Sequence, residues 1–147
     1  MSTNPVAGAL RRKRGSISVL AVTGLVLLLA LPTFALSRLA AAVVWRILGG
    51  AALAVSLFTF LAYRTDKRRA EAGKWRIPES TLHMAELAGG WPGAFLAQRL
   101  FRHKITKVSY QVIFWIIVLL HQMAALDSLL GWRFTKQLLH LVKGHTG

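Results

Sequence analysis

The chain has 147 residues, of which 54% are hydrophobic and 16% charged, whereas soluble domains usually carry about 25% charged residues. Its 19 lysines and arginines outnumber 5 acidic residues, which gives a formal net charge of +14 and argues against an ordinary soluble domain. The absence of cysteine excludes disulfides, thiolate metal sites and thiol nucleophiles.

The first apolar block predicts a membrane span. Residues 15–37 contain no Lys, Arg, Asp or Glu, and residues 17–36 as a helix would rise about 30 Å, the thickness of the hydrocarbon core. A basic cluster at residues 11–14 precedes it, so a signal peptide cleaved near Ala35 is an alternative; secretory apolar segments are shorter, however. We expect residues 1–16 to form a basic cytoplasmic N-terminus, because Lys and Arg beside a span are retained inside.

A second apolar block, residues 43–63, predicts another span that returns to the cytoplasm. It contains Arg46, whose long stem reaches the nearer interface. The four-residue spacing of Gly50 and Ala54 allows two helices to approach closely. Residues 17–63 are therefore predicted to form a transmembrane hairpin.

A polar segment, residues 64–80, follows and is expected to be cytoplasmic. Gly73 is the predicted end of the helix that leaves the membrane. Asp66 is expected to pair with Arg69 or Arg76, because a charge at a membrane edge is costly without a partner. A catalytic role for Asp66 is a minor alternative.

The stretch from Leu82 to Phe101 is the ambiguous part of the chain. Its uncharged portion, residues 87–98, would rise only about 18 Å as a helix, which is too short for a normal span. The Gly89-Gly90-Trp-Pro92-Gly93 run also interrupts a helix. We predict a broken pair of short helices near residues 79–103, re-entrant or interfacial, with a fourth span as the alternative.

The last predicted span covers residues 108–126, which include no Lys, Arg, Asp or Glu. It ends the predicted membrane domain, residues 64–126. In the tail, residues 127–147, apolar and basic side chains lie on opposite helical faces, which is typical of an interfacial amphipathic helix. The predicted fold class is thus all-α, an integral membrane protein with three full transmembrane helices.

Several short motifs occur in a characteristic order between residues 51 and 122. Their defining residues are Asp66, Lys67, Arg76, Pro78, Gly89, Gly90, Pro92 and Gly93. The combination resembles the domain of unknown function 1294 family, small bacterial membrane proteins, some of which carry an N-terminal cold-shock domain that binds nucleic acid. The resemblance implies a bacterial inner-membrane location and a helical membrane fold, but no established activity. This chain has an extra span in place of the cold-shock domain, so direct nucleic-acid binding is not expected.

One set of candidate ligands is Glu79, His83 and Glu86. Their i, i+4 and i+7 spacing places all three on one face of a helix. Carboxylate and imidazole groups together bind a divalent metal or transfer a proton. The structural alternative is that Glu79 caps the helix after Pro78 while His83 forms a local hydrogen bond.

A second set gathers positive charge just before the last span. Arg99, Arg102, His103, Lys104 and Lys107 lie within nine residues and next to the glycine turn. Positive charge beside free backbone amides predicts binding of phosphate groups or anionic lipid. The alternative is that this cluster serves only as a signal for membrane orientation.

These observations favour a noncatalytic function. No catalytic residue or cofactor is predicted, because no nucleotide-binding glycine loop, catalytic triad or zinc-protease motif is present. The leading hypothesis is a multi-pass inner-membrane protein whose basic cytoplasmic face binds anionic lipid, or a protein or phosphate-bearing partner. The alternative is a transporter or membrane enzyme with a metal or proton site at Glu79, His83 and Glu86. Nucleic-acid tethering through the basic face is a weaker third reading.

Overall fold

The computed structural model describes residues 18–39 and 42–144. In these ranges the secondary structure is entirely helical, with short connecting turns. The three long helices are α1 (Val19–Leu39), α2 (Ala42–Glu71) and α5 (Val108–Leu129). Each is long and apolar enough to cross a membrane.

The all-helical class with three such helices is therefore confirmed. The predicted spans at 17–36, 43–63 and 108–126 correspond to α1, α2 and α5, although α2 continues to Glu71. Gly73, two residues later, has a φ of 64°, in the left-handed region that favours glycine. The predicted basic N-terminus, residues 1–16, lies outside the described residues.

The surface of the long helices is strongly apolar. Leu27 of α1 is 68% exposed, Leu53 of α2 is 73% exposed and Leu119 of α5 is 59% exposed. Contiguous exposed apolar surface of this kind is unfavourable in water and favourable in a bilayer. The three helices therefore present a surface suited to lipid.

Two short helices form a hairpin between α2 and α5. These are α3 (Glu79–Ala85) and α4 (Trp91–Phe101), joined by a π-helical turn, Glu86–Gly90. The kink lies at Gly89, whose φ of 103° is readily adopted only by glycine. Lys104, just after α4, lies 3.6 Å from Glu79, so the two ends of the hairpin meet.

The hairpin packs tightly against α2 because two of its residues lack a side chain. A Cβ atom at Gly93 would overlap the Ser56 carbonyl group, and one at Gly90 would overlap the side chain of Thr59. At the other end of α4, the Lys67 ammonium donates to the carbonyl of Phe101. From Gly93 beside Ser56 to Phe101 beside Lys67, the residue numbers rise on both helices, so α4 runs in the same direction as α2.

The close approach predicted at Gly50 and Ala54 is not found there. A Cβ atom at Gly50 would meet no atom within 4 Å. The small residues that allow close packing in the described part of the chain lie on the hairpin instead. Helix α1 packs mainly along α5, where the Gln122 side chain donates to the Leu28 carbonyl at 2.7 Å.

The last helix, α6 (Arg133–Gly144), is held to the end of α5 by one carboxylate. Asp127 accepts hydrogen bonds from the backbone N–H of Phe134 at 2.9 Å and of Thr135 at 3.2 Å, and from the Thr135 hydroxyl at 2.5 Å. These bonds satisfy N–H groups that otherwise lack partners at a helix start. Leu138 and Leu141 are exposed on this helix.

Candidate functional site

The centre of the hairpin contains a fully buried carboxylate, Glu86. One of its oxygens, Oε1, accepts a hydrogen bond from the hydroxyl of Tyr63 on α2 and another, of 3.0 Å, from the hydroxyl of Tyr110 on α5. The two hydroxyl oxygens are 2.5 Å apart. Two long helices that are distant in sequence thus converge on a single carboxylate.

The second oxygen of Glu86 contacts a histidine. His83 Nδ1 lies 2.7 Å from Glu86 Oε2, and the imidazole ring stacks on Tyr110 with 4.1 Å between ring centroids. The other ring nitrogen, Nε2, is buried and has no hydrogen-bond partner among the described residues. A hydrogen bond between imidazole and carboxylate requires a proton between the two atoms.

Two amide side chains complete this cluster. Gln98 on α4 donates to the Tyr63 hydroxyl at 3.0 Å and accepts a hydrogen bond of 2.7 Å from Gln111 on α5. Gln111 also donates to the backbone carbonyl of Lys104 at 3.1 Å. Helices α2 and α5 and both helices of the hairpin therefore supply polar groups to the network around Glu86.

A second buried carboxylate, Asp66, lies on α2 one turn after Tyr63. Its oxygens contact the backbone N–H of Ile77 at 2.9 Å, His103 Nε2 at 2.9 Å and Lys104 Nζ at 3.3 Å. The Arg76 Nε atom is 3.9 Å away. Of the two partners predicted for Asp66, the structure shows Arg76, while its closer charged partners are His103 and Lys104.

Lys104 connects the two carboxylate clusters. Its side chain is almost fully buried, and its ammonium lies 4.7 Å from the centre of the Tyr110 ring, beside Asp66 and Glu79. An ammonium over an aromatic face is stabilised by the ring quadrupole. The two clusters therefore form one continuous polar core where α2, the hairpin and α5 meet.

Glu79 occupies the outer edge of this core. Lys107 Nζ donates to Glu79 Oε2 at 2.7 Å, and this hydrogen bond is the main reason that the pKa of Glu79 lies below its ordinary value. The prediction that Glu79 caps α3 is wrong: Pro78 occupies the cap position, and no side chain caps the helix. Glu79 instead ties the start of α3 to the start of α5.

The proposed metal ligands are only partly brought together. His83 and Glu86 are in contact, whereas Glu79 contacts Lys104 and Lys107. Among residues 18–39 and 42–144, no group of three His, Asp or Glu side chains is placed to hold a metal ion. The contact that remains from the predicted set is the His83–Glu86 pair.

The predicted phosphate-binding cluster divides into two parts. His103, Lys104 and Lys107 contact the acidic side chains Asp66 and Glu79. Arg99 and Arg102 are exposed at the end of α4, where Arg102 adopts a left-handed φ of 46°.

The exposed cations at this end of the molecule form what we call the basic face. Its members are Arg64, Arg68, Arg69, Lys74, Arg76, Arg99, Arg102 and Lys107. They lie at the end of α2, in the following loop, at the end of α4 and just before α5. Of the four acidic residues at this end, Asp66 and Glu86 are buried, Glu79 is partly exposed and Glu71 is exposed. The face therefore presents a large excess of positive charge.

The remaining motif residues have structural positions. Pro78 precedes α3 and Pro92 lies in the first turn of α4, where the missing N–H of proline costs little. Sequence analysis did not assign Tyr63, Tyr110 or Gln98 to the site. The sequence signal that could have identified them is the presence of hydroxyl and amide side chains inside otherwise apolar helices, where polar groups need hydrogen-bond partners.

Comparison with known proteins covers the same region. Residues 56–110 match the model of a family described as "Protein of unknown function (DUF1294)", so the predicted resemblance is confirmed. The Uncharacterized protein YsdA of Bacillus subtilis (strain 168) is 35% identical over 57 residues, which cover 39% of this chain and 64% of that relative. The match thus spans less than two thirds of the relative. No solved structure matches the chain. The family segment contains Glu86, Asp66 and the side chains that bind them.

Proposed function

We propose that this chain is a noncatalytic multi-pass protein of the bacterial inner membrane whose basic face binds anionic phospholipid head groups. The observation that carries the proposal is the inward placement of acidic side chains. Asp66 and Glu86 are buried, and Glu79 is bound by Lys104 and Lys107. The exposed cations of the basic face outnumber the carboxylates beside them, and only Lys107, which binds Glu79, and Arg76, which lies 3.9 Å from Asp66, have a carboxylate partner described above. Each Lys or Arg near an anionic membrane surface contributes about 1 kcal/mol of binding.

The same charge distribution supports a cytoplasmic position for the basic face, because loops rich in Lys and Arg are retained inside. In this orientation the hairpin of α3 and α4 is re-entrant. Its tip contacts Ser56, which precedes Lys67 by 11 residues or about 16 Å of helix, roughly half of the hydrocarbon core. Helix α6 then lies at the opposite interface, with Leu138 and Leu141 facing lipid.

Lipid analysis of purified protein tests the proposal. We expect anionic phospholipids to be enriched in lipid that copurifies with the native chain, and Arg68→Gln combined with Arg69→Gln to reduce this enrichment. The matched control is Arg133→Gln combined with Lys136→Gln, which removes the same charge from α6 at the other end of α5. Raising the salt concentration should weaken binding by the native protein, because surface charges are screened over about 8 Å at physiological ionic strength.

Two results would contradict the proposal. Equal lipid profiles for native protein and the Arg68/Arg69 variant would leave the basic face as an orientation signal alone. Salt-sensitive copurification of a protein in place of lipid would assign the face to a protein partner.

A second candidate function, a proton site within the membrane domain, is favoured by the His83–Glu86 contact. Glu86 is fully buried, and its imidazole neighbour lies 2.7 Å away. Ionisable groups at membrane depth are costly and commonly serve proton transfer. Glu79, one turn before His83 and partly exposed, contacts Lys107 of the basic face.

Infrared difference spectroscopy distinguishes a proton site from a static one. A protonated carboxylic acid has a carbonyl band absent from the carboxylate, so titrating the native protein should produce a band that Glu86→Gln removes. Glu79→Gln should leave that band in place. A spectrum without any band assignable to Glu86 would indicate that the His83–Glu86 pair is purely structural. In a separate metal analysis, one bound metal ion per purified chain would favour the metal alternative.

A further inference from the structure

A groove runs between the first half of α1 and the packed helices α4 and α5. It has a volume of about 610 Å³ and is lined by Ser18, Gly24 and Leu28 on one side and by Phe95, Arg99 and Trp115 on the other. This volume falls within the range of about 300–1,000 Å³ that is typical of sites for small molecules. Most of the lining is apolar, and Arg99 provides its charge.

We propose that this groove binds one acyl chain of an anionic phospholipid, whose phosphate is bound by Arg99. The inference rests on the proposed lipid-binding function and assigns it a specific site. It is separate from the part of the basic face on α2, where Arg68 and Arg69 lie.

The position of Arg99 is suited to a phosphate. Its guanidinium lies 4.7 Å from the centre of the Phe95 ring, which orients it at the groove while leaving the residue exposed. It makes no ion pair with an acidic side chain in the part of the chain that the structure describes. Arginine offers several N–H donors in a planar arrangement that matches phosphate oxygens.

The length of the groove agrees with a lipid chain. Ser18 and Leu28 are ten residues apart, or about 15 Å along α1, which is half the thickness of the hydrocarbon core. Arg99 lies in the last turn of α4, two residues before Phe101, whose carbonyl is bound by Lys67 at the polar end of α2. A phospholipid in one leaflet would therefore place its phosphate near Arg99 and its chain against Phe95 and Trp115.

The glycine in the groove provides a sharp test. A Cβ atom at Gly24 would meet no atom within 4 Å, so Gly24→Leu should fill the groove without disturbing the helix. Gly49 on α2 has equally open space and does not line the groove, so Gly49→Leu is the matched control.

The experiment measures phospholipid retained by the purified full-length protein after extensive detergent washing. We expect the native chain and Gly49→Leu to retain one anionic phospholipid per chain, and Gly24→Leu to lose more than half of it. Arg99→Gln should retain phospholipid but lose the preference for anionic head groups. Equal retention by Gly24→Leu and Gly49→Leu would overturn the proposal.

A photoreactive anionic phospholipid gives a second readout that does not depend on the variants folding. Crosslinks on native protein should map to residues 18–28 and to the neighbourhood of Phe95 and Trp115, and crosslinks confined to other surfaces would refute the site. The basic-face variant Arg68→Gln/Arg69→Gln should keep the lipid of the groove while losing general anionic enrichment. Loss of the groove proposal and loss of the proposed function are therefore distinguishable, because the first is read from lipid in the groove and the second from general anionic enrichment.

Discussion

Gly93 on α4 lies directly against the backbone carbonyl of Ser56 on α2, at a distance that leaves no room for a β-carbon. This contact, with the neighbouring one between Gly90 and Thr59, sets how closely the hairpin approaches α2. The hydroxyl of Thr59 donates to the Val55 carbonyl at 2.8 Å, so its polar group is satisfied within its own helix. The close approach brings Glu86 within reach of Tyr63.

Gly93→Ala should destabilise the protein by about 1–3 kcal/mol, because overpacking forces the backbone apart. Thermal unfolding in detergent measures the change. Gly49→Ala is the control, since its added methyl group has open space and alanine favours a helix. An unchanged melting temperature for Gly93→Ala would show that α2 and α4 are not packed as described.

Tyr63→Phe should cost about 1–3 kcal/mol, because it leaves buried partners without their hydrogen bonds. The removed hydroxyl donates to Glu86 and accepts from Gln98. A double-mutant cycle with Glu86→Gln measures the coupling, and we expect the two changes together to cost less than the sum of their separate effects. Strict additivity would contradict the shared network.

Asp66→Asn should destabilise by about 3 kcal/mol, because it removes the carboxylate partner of a buried cation. Lys104 is then left with Glu79, 3.6 Å away, as its acidic partner. The control is Glu71→Gln, in which a partly exposed pair with Lys67 at 3.9 Å is lost and the expected change is below about 1 kcal/mol. Similar losses for both variants would argue against a buried role for Asp66.

The Glu79–Lys107 pair should make stability depend on pH in the acidic range. Because the pKa of Glu79 is lower in the folded protein than its ordinary value, its contribution is present above the ordinary pKa and is lost as pH falls through the lowered value. Native protein should therefore be more stable than Glu79→Gln near neutral pH, and the difference should shrink on acidification. A difference that grows on acidification would reverse the assigned sign.

Topology can be measured directly because the chain contains no cysteine. With a cytoplasmic basic face, single cysteines at Ser37 and Ser128 should react with an impermeant thiol reagent added to intact cells, while one at Ala72 should be protected. Labelling at Ala72 without labelling at Ser37 would invert the orientation. Labelling at Ser37 with protection at Ser128 would favour four spans.

The long helices were predictable from sequence because length and apolarity alone determine whether a helix suits a bilayer. The break between α3 and α4 was predictable as well, since Gly89 and Gly90 interrupt a helix locally. These features depend on neighbouring residues in the chain. Predicting them therefore does not require knowing which helices are in contact.

The polar core was less accessible because its partners are distant in sequence. Spacing on one helix placed Glu79, His83 and Glu86 together, but tertiary contacts draw Glu79 toward Lys107 and Glu86 toward the tyrosines. The close helix contact was assigned to Gly50 for a similar reason: small residues permit close packing without specifying the partner. Which glycine is used depends on the three-dimensional arrangement.

The position of Glu86 in the chain has a consequence for biogenesis. Its two hydroxyl partners come from opposite sides in sequence: Tyr63 is 23 residues earlier and Tyr110 is 24 residues later. Until α5 has been synthesised and has entered the bilayer, the carboxylate lacks one of its donors, and burying it in lipid is unfavourable. We therefore expect the hairpin to remain at the membrane surface until α5 has inserted, and only then to enter the bilayer. Insertion of this segment would thus follow the synthesis of a helix that lies after it in the sequence.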